Sequence, residues 1–134
     1  MTLKDYDRNE MIKLHMEKAE KNLKSAVLLS ETDDYDSAAN RAYYSVFHAE
    51  SALLLTKGIL GDSHKHVHNS ISKEFVISKE LSVDIFRTIT KVQSLRNIGD
   101  YSRERSVTKE EMEEAISIAK DFLDITKELI TKTT

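Results

Sequence analysis

The stretch Asn40-Arg41-Ala42-Tyr43-Tyr44-Ser45-Val46-Phe47-His48 carries the densest cluster of aromatic and ionisable side chains in the chain. Arg41, Tyr44 and His48 repeat at helical spacing, so a helix would line them up on one face. Arginine can hold a phosphate, tyrosine can stack on a base, and histidine titrates near neutral pH. The same trio would also suit a helix–helix or subunit contact, where Tyr and Arg are common, and that plainer reading takes precedence. A second set lies downstream. Arg96, Asn97, Asp100 and Tyr101 sit together, with Arg87, Lys91, Arg103 and Arg105 nearby. Arg96 could stabilise the charge on a phosphorane. Asp100 or Tyr101 would serve as a base only with a shifted pKa, whereas His48 has the right intrinsic value of about 6.5. Arg96 could instead pair with Glu50, Asp100 or a backbone carbonyl and have a purely structural role.

A third cluster is His64-Lys65-His66-Val67-His68. His64 and His68 are one helical turn apart, as two metal ligands would be. A closed zinc site needs two more ligands, and Asp62 is the nearest acidic residue. The cluster therefore reads as a solvated helix start, and neither a metal nor a cofactor is called for.

The elements that must position these groups are helical. The chain has 134 residues, 40% hydrophobic and 32% charged, with no proline, no cysteine and three glycines. That length fits one domain, 1–134, with its own core. With so few chain breakers, long helices are expected and hairpin turns are hard to place. No apolar run is long enough to span a membrane, and no signal-peptide pattern opens the sequence. The missing cysteines fit a reducing cytoplasm. A net charge of −3 does not advertise nucleic acid over the whole surface, so any such site must be local.

Apolar periodicity predicts helices over about 7–30, 35–57, 64–76, 82–100 and 108–130. The first has an inward stripe of Ile12, Met16, Ala19, Leu23, Ala26 and Val27. The second would bury Ala39, Ala42, Tyr43, Val46, Phe47, Leu53 and Leu54, and would carry Arg41, Tyr44, His48, Ala52 and Leu55 on its opposite arc. Glu50 falls among the apolar positions, where a carboxylate needs a partner. In the fourth helix the line Ile85, Ile89, Val92 continues to Arg96. Asp33 or Asp34 should cap the second helix, Gly58 should end it, and Thr108 with Glu111 forms a capping box. The fold class is all-α, an antiparallel up-and-down bundle of four long helices plus a short fifth.

Asn40-Arg41-Ala42-Tyr43-Tyr44-x-x-Phe47-His48-Ala49, followed by Leu53-Leu54-Leu55 and Gly58, resembles the HEPN superfamily, in particular its small UPF0332-type members. Leu95-Arg96-Asn97-Ile98-Gly99-Asp100-Tyr101 resembles the Arg-x-x-x-Asp-Tyr segment of that branch. The resemblance implies a helical bundle that dimerises and partners a minimal nucleotidyltransferase in a toxin–antitoxin or stress module. It also implies a neighbourhood of metal-independent endoribonucleases, whose motif is an Arg, a polar residue and then a His a few residues on. Arg96-Asn97 supplies the first half; Ile98, Gly99, Asp100, Tyr101 and Ser102 supply no histidine. The expected function is thus a dimeric binding module that contacts nucleotide or RNA through Arg41, Tyr44, His48, Asn97 and Arg103. An endoribonuclease toxin using Arg96, Asp100, Tyr101 and His48 is the alternative, and a purely structural helical adaptor is a third.

Overall fold

The computed structural model describes residues 4–133. Among them the elements are helices α1 (Asp5–Ser30), α2 (Tyr35–Thr56), α3 (His64–Ile71), α4 (Val83–Tyr101) and α5 (Lys109–Thr133), and a π turn over Ser72–Val76 closes α3. The expected element order is found, with boundaries moved by a few residues. The difference is in the last turn of the third helix, which widens to π geometry and buries Phe75.

The helix ends follow local chemistry. Asp34 accepts a hydrogen bond from the Ser37 amide (3.2 Å), Ser63 from the His66 amide (3.1 Å) and Ser82 from the Ile85 amide (3.1 Å). Each side chain satisfies one amide that the first turn leaves without a partner. Thr108 and Glu111 form the reciprocal box, with Glu111 N–H to Thr108 Oγ1 at 3.1 Å and Thr108 N–H to Glu111 Oε1 at 3.0 Å. Beyond α2, Gly58 takes φ +73°, a left-handed conformation that side chains resist.

Helix α2 is central and touches α1, α3, α4 and α5. Against α1 it packs through small residues: Ala19 and Ala26 of α1 and Ala42 and Ala49 of α2 are all fully buried in one core cluster. Small side chains let the two backbones come close, and Ser45 Oγ donates to the Ala19 carbonyl at 2.8 Å. The arc of α2 opposite the main core is therefore covered by α1. Ala52 and Leu55 are buried there with Ile12. Val27, expected on the inner stripe of α1, is 42% exposed because its neighbour Ala26 makes the contact instead. The remaining core is filled by Leu53, Leu54, Ile71, Phe75, Ile89, Val92 and Phe122. On the α4 side, Gly99 lies so near Asp36 that an added Cβ would come within 3.3 Å of its backbone. That approach brings the end of α4 against the start of α2.

Glu50 is buried at 2% exposure, and its partner is His68. His68 Nδ1 lies 2.8 Å from Glu50 Oε2, and its Nε2 lies 2.9 Å from Thr90 Oγ1. Thr90 in turn donates to the Phe86 carbonyl at 2.9 Å, so its oxygen accepts from Nε2–H. The imidazole also stacks on Phe86, centroids 4.6 Å apart. Burial pushes the Glu50 carboxyl up, and its hydrogen bond to His68 pulls the other way. The row joins α2, α3 and α4. Although its order is acid, histidine, hydroxyl, the Thr90 proton is committed to its own helix, and the row acts as a strut. His68→Ala should cost roughly 3–5 kcal/mol in urea unfolding, because it leaves a buried carboxyl without a partner. Glu50→Leu combined with His68→Leu should cost less than that single change, and a larger loss in the double variant would contradict the assignment.

Candidate functional site

Arg96 stands where the last turns of α4 meet the middle of α2. Three tyrosine rings frame its guanidinium, with Cζ 4.8 Å from the centre of Tyr43, 5.7 Å from Tyr44 and 5.4 Å from Tyr101. Nε lies 2.9 Å from Asp100 Oδ2, one turn along the same helix. This is an ion pair by distance, but the N–H does not point along the line of a hydrogen bond, and Nε has no other acceptor among the described residues. The terminal nitrogens make only long contacts, 3.4 Å to Tyr44 Oη and 3.4 Å to Asn97 Oδ1. The side chain is 16% exposed. A guanidinium in this state is charged, oriented by aromatic faces and weakly bonded on its outer edge.

Asp100 is held from the α2 side as well. Asn40 Nδ2 donates to Asp100 Oδ2 at 2.9 Å. The Asn40 carbonyl oxygen in turn accepts from Arg41 Nε (2.9 Å) and Nη2 (2.6 Å), and Arg41 Nη1 reaches Asn22 Oδ1 on α1 at 3.0 Å. A continuous polar row thus runs from α1 through α2 to α4. Asp100 is thus engaged by a cation on its own helix and by an amide donor on α2.

Among the residues marked out by sequence, Arg96, Asn97, Asp100, Tyr101 and Tyr44 come together. Arg41 joins them indirectly, with Cζ 4.8 Å above the Tyr44 ring while its donors serve Asn40 and Asn22. The Arg41–Tyr44–His48 line is therefore split. His48 turns to α1, where its Nδ1 lies 3.0 Å from Nδ1 of His15. Only one proton fits between those nitrogens. Burial, then the nearby His15, Lys18, His64 and Arg41, pull His48 down to about 4. Burial and Lys18 also lower His15. Arg103 is exposed in the loop after α4, beside Arg105, which grips Glu111 through two bonds of 2.8 and 3.0 Å. The loop is fixed further by the Val107 amide donating to Asp36 Oδ1 at 2.7 Å.

The histidine that reaches the Arg96 cluster is His64, the first residue of α3. Its Nδ1 is 2.7 Å from Tyr43 Oη, its ring stacks on Phe47 at 4.2 Å and 17°, and it meets Tyr44 edge-on at 5.5 Å. Burial and then the charge of Arg96 lower its pKa. Burial foremost pushes the Tyr43 hydroxyl up to about 12. The solvated helix start expected for 64–68 is thus corrected: His64 and His68 are drawn into the fold by Tyr43 and Glu50, and the His66 ring accepts from the Asp62 amide at 3.2 Å. Sequence reasoning placed Tyr43 in the core, quoted Asn40 without giving it a role, and overlooked Asn22 and His15. The one available signal was the polar type of Asn40 and Asn22 at positions facing another helix.

A family model described as "HEPN domain" matches residues 12–129. Two proteins of Methanocaldococcus jannaschii, each bearing the name "Putative toxin", are similar to the chain. One is 39% identical over 93% of this chain and 85% of the relative. The other is 37% identical over 92% of both. A UPF0332 protein of Thermotoga maritima is 30% identical over 92% of this chain and 94% of its own length. A crystal structure described as an archaeal HEPN homologue superposes with a TM-score of 0.69 over 87% of this chain and 94% of that one; at 19% identity it speaks for the fold alone.

The histidine pair gives a pH test. Folded His48 takes up its proton only near pH 4, whereas the unfolded chain does so near 6.5. Its contribution to stability is full above the unfolded value and is lost as pH falls through the folded one. Between those limits the native chain should lose roughly 2 kcal/mol after allowance for screening by solvent. His48→Gln should flatten that part of the urea-unfolding profile, and an unchanged slope would show that His48 titrates normally.

Proposed function

The chain belongs to the HEPN family, and on that footing we propose that it is a cytoplasmic toxin-module protein that holds a phosphate of RNA or of a nucleotide at Arg96. In this reading the four long helices run antiparallel, as the short connection 31–34 favours. Two bundles pair as a homodimer and a minimal nucleotidyltransferase is the partner. The names of the two Methanocaldococcus relatives point to the same kind of module.

The observation that carries the reading is the state of the Arg96 guanidinium. Its outer nitrogens have only 3.4 Å contacts, so a phosphate oxygen would gain strong bonds there without displacing any. Asp100 opposes an incoming anion and leaves Arg96 as the cation that must meet it. The exposed Tyr101 ring, 67% accessible, offers a stacking surface for a base beside the phosphate. Asn97 touches Arg96, and Arg103 is exposed in the loop that follows α4. No helix among the described residues is long and apolar enough to cross a membrane.

Fluorescence anisotropy with a labelled single-stranded RNA tests the site. Arg96→Ala should weaken binding by about 1.5–3 kcal/mol, the range for hydrogen bonds to a charged group. It should also reduce the salt slope by about one. Arg103→Ala should weaken binding less. Equal affinity in Arg96→Ala and the native chain would remove the assignment. The partner is tested separately, by co-purification from the native host.

A further inference from the structure

Arg96 is one of two groups that stand against the same pair of tyrosines. Its guanidinium carbon lies 4.8 Å from the centre of Tyr43 and 5.7 Å from that of Tyr44. The centre of the His64 ring lies 5.7 and 5.5 Å from the same two rings. Phe47 stacks on the imidazole at 4.2 Å and 17°, which fixes the plane of the ring. The Tyr43 hydroxyl fixes where the ring carries its hydrogen. Tyr43 is 4% exposed, and its Oη meets one partner among the described residues, His64 Nδ1 at 2.7 Å. Burial foremost pushes that hydroxyl up to about 12, so it keeps its proton. A buried O–H is donated wherever an acceptor stands, and the acceptor at hand is Nδ1. Burial and then the Arg96 charge lower His64, so the ring is neutral at neutral pH. A neutral imidazole whose Nδ1 accepts must carry its hydrogen on Nε2. No described residue accepts from that Nε2–H.

Resting on the phosphate-binding reading above, we propose that His64 is a second binding residue of the Arg96 site, and that the two together hold a phosphodiester of single-stranded RNA. The outer nitrogens of Arg96 donate to one non-bridging oxygen and His64 Nε2–H donates to the other. The balance of charge selects a diester. Asp100 already offsets Arg96 at 2.9 Å, and the neutral His64 adds a donor without adding a charge. Such a pair suits the single negative charge of a diester better than the nearly two charges of a terminal phosphate. One donor comes from α4 and the other from α3, and Tyr43 acts as a positioning residue by holding the His64 tautomer.

The tautomer is read from the nitrogen-15 shifts of the His64 ring in the free protein. Hydrogen on Nε2 is expected, and Tyr43→Phe, which keeps the ring packing, should mix the two tautomers. Hydrogen on Nδ1 in the native chain overturns the proposal. Affinity is measured by resonance titration of the full chain with a dinucleoside monophosphate, which has one diester. His64→Ala should weaken binding about 10-fold or more, as the loss of one hydrogen bond to a charged group does. Replacing either non-bridging oxygen by sulfur should weaken binding to the native chain. In His64→Ala the penalty should vanish for one phosphorothioate isomer and persist for the other, which a general loosening of α3 would not produce. Unchanged penalties for both isomers remove His64 from the site. A nucleoside monophosphate should bind more weakly than its own methyl ester, and the reverse order contradicts the diester assignment. Native affinity in His64→Ala beside a loss in Arg96→Ala defeats this proposal and leaves the Arg96 reading standing. Native affinity in Arg96→Ala defeats both.

Discussion

A guanidinium that is mostly shielded from water must be compensated where it lies, and Arg96 sets that requirement at the junction of α2 and α4. Its charge is balanced by Asp100 one turn away and spread over the faces of Tyr43, Tyr44 and Tyr101. Neither helix could supply this alone. α4 brings the ion pair and α2 brings two of the rings, with Asn40 steadying the carboxylate from across the gap. The close approach at Gly99 and Asp36 is what lets these groups meet. The result is a cation fixed in direction yet only loosely bonded at its outer nitrogens, unlike an ordinary surface ion pair.

The rest of the fold serves that junction by keeping α2 in place. α1 locks one side through alanines and the Ser45 hydrogen bond, and Arg41 reaches across to Asn22. The Glu50–His68–Thr90 row ties α2 to α3 and α4. Because His64 begins the same short helix as His68, this strut also fixes where His64 stands. A helix of 8 residues has little stability of its own. Its position depends on those two histidines and on Val67, Ile71 and Phe75 beneath it. Packing in the buried strut and the placing of the Tyr43–His64 pair are thus mechanically linked.

Much of this was legible from residue order because it is local. Helix spans, the Asp34 and Thr108 caps and the Gly58 stop depend on residues within a few positions of one another. The same holds for the Arg96–Asp100 pair, one helical turn apart. What was hidden depends on which element covers which. Periodicity put Arg41, Tyr44 and His48 on one face but could not show that α1 lies over two of them. His48 consequently meets His15, while His64, weighed only as a metal ligand, becomes the histidine beside the arginine cluster. Glu50 was recognisable as needing a partner, but His68 was not recognisable as that partner, since 18 residues and a loop separate them. Tyr43 was read as core by its spacing, and it is indeed buried at 4% exposure; its hydroxyl reaches His64 Nδ1.

The most direct measurement is a nuclear magnetic resonance titration that follows the Arg96 Nε–H and the His64 ring signals while a short single-stranded RNA is added. With a phosphate bound at the Tyr43–Tyr44 junction, both residues should shift together and saturate at one ratio of RNA to protein. Tyr101 should move with them, and His15 and His48 should stay in place. Saturable shifts confined to other surfaces, with Arg96 and His64 unmoved, would contradict the site and leave Arg96 as the clasp between two helices.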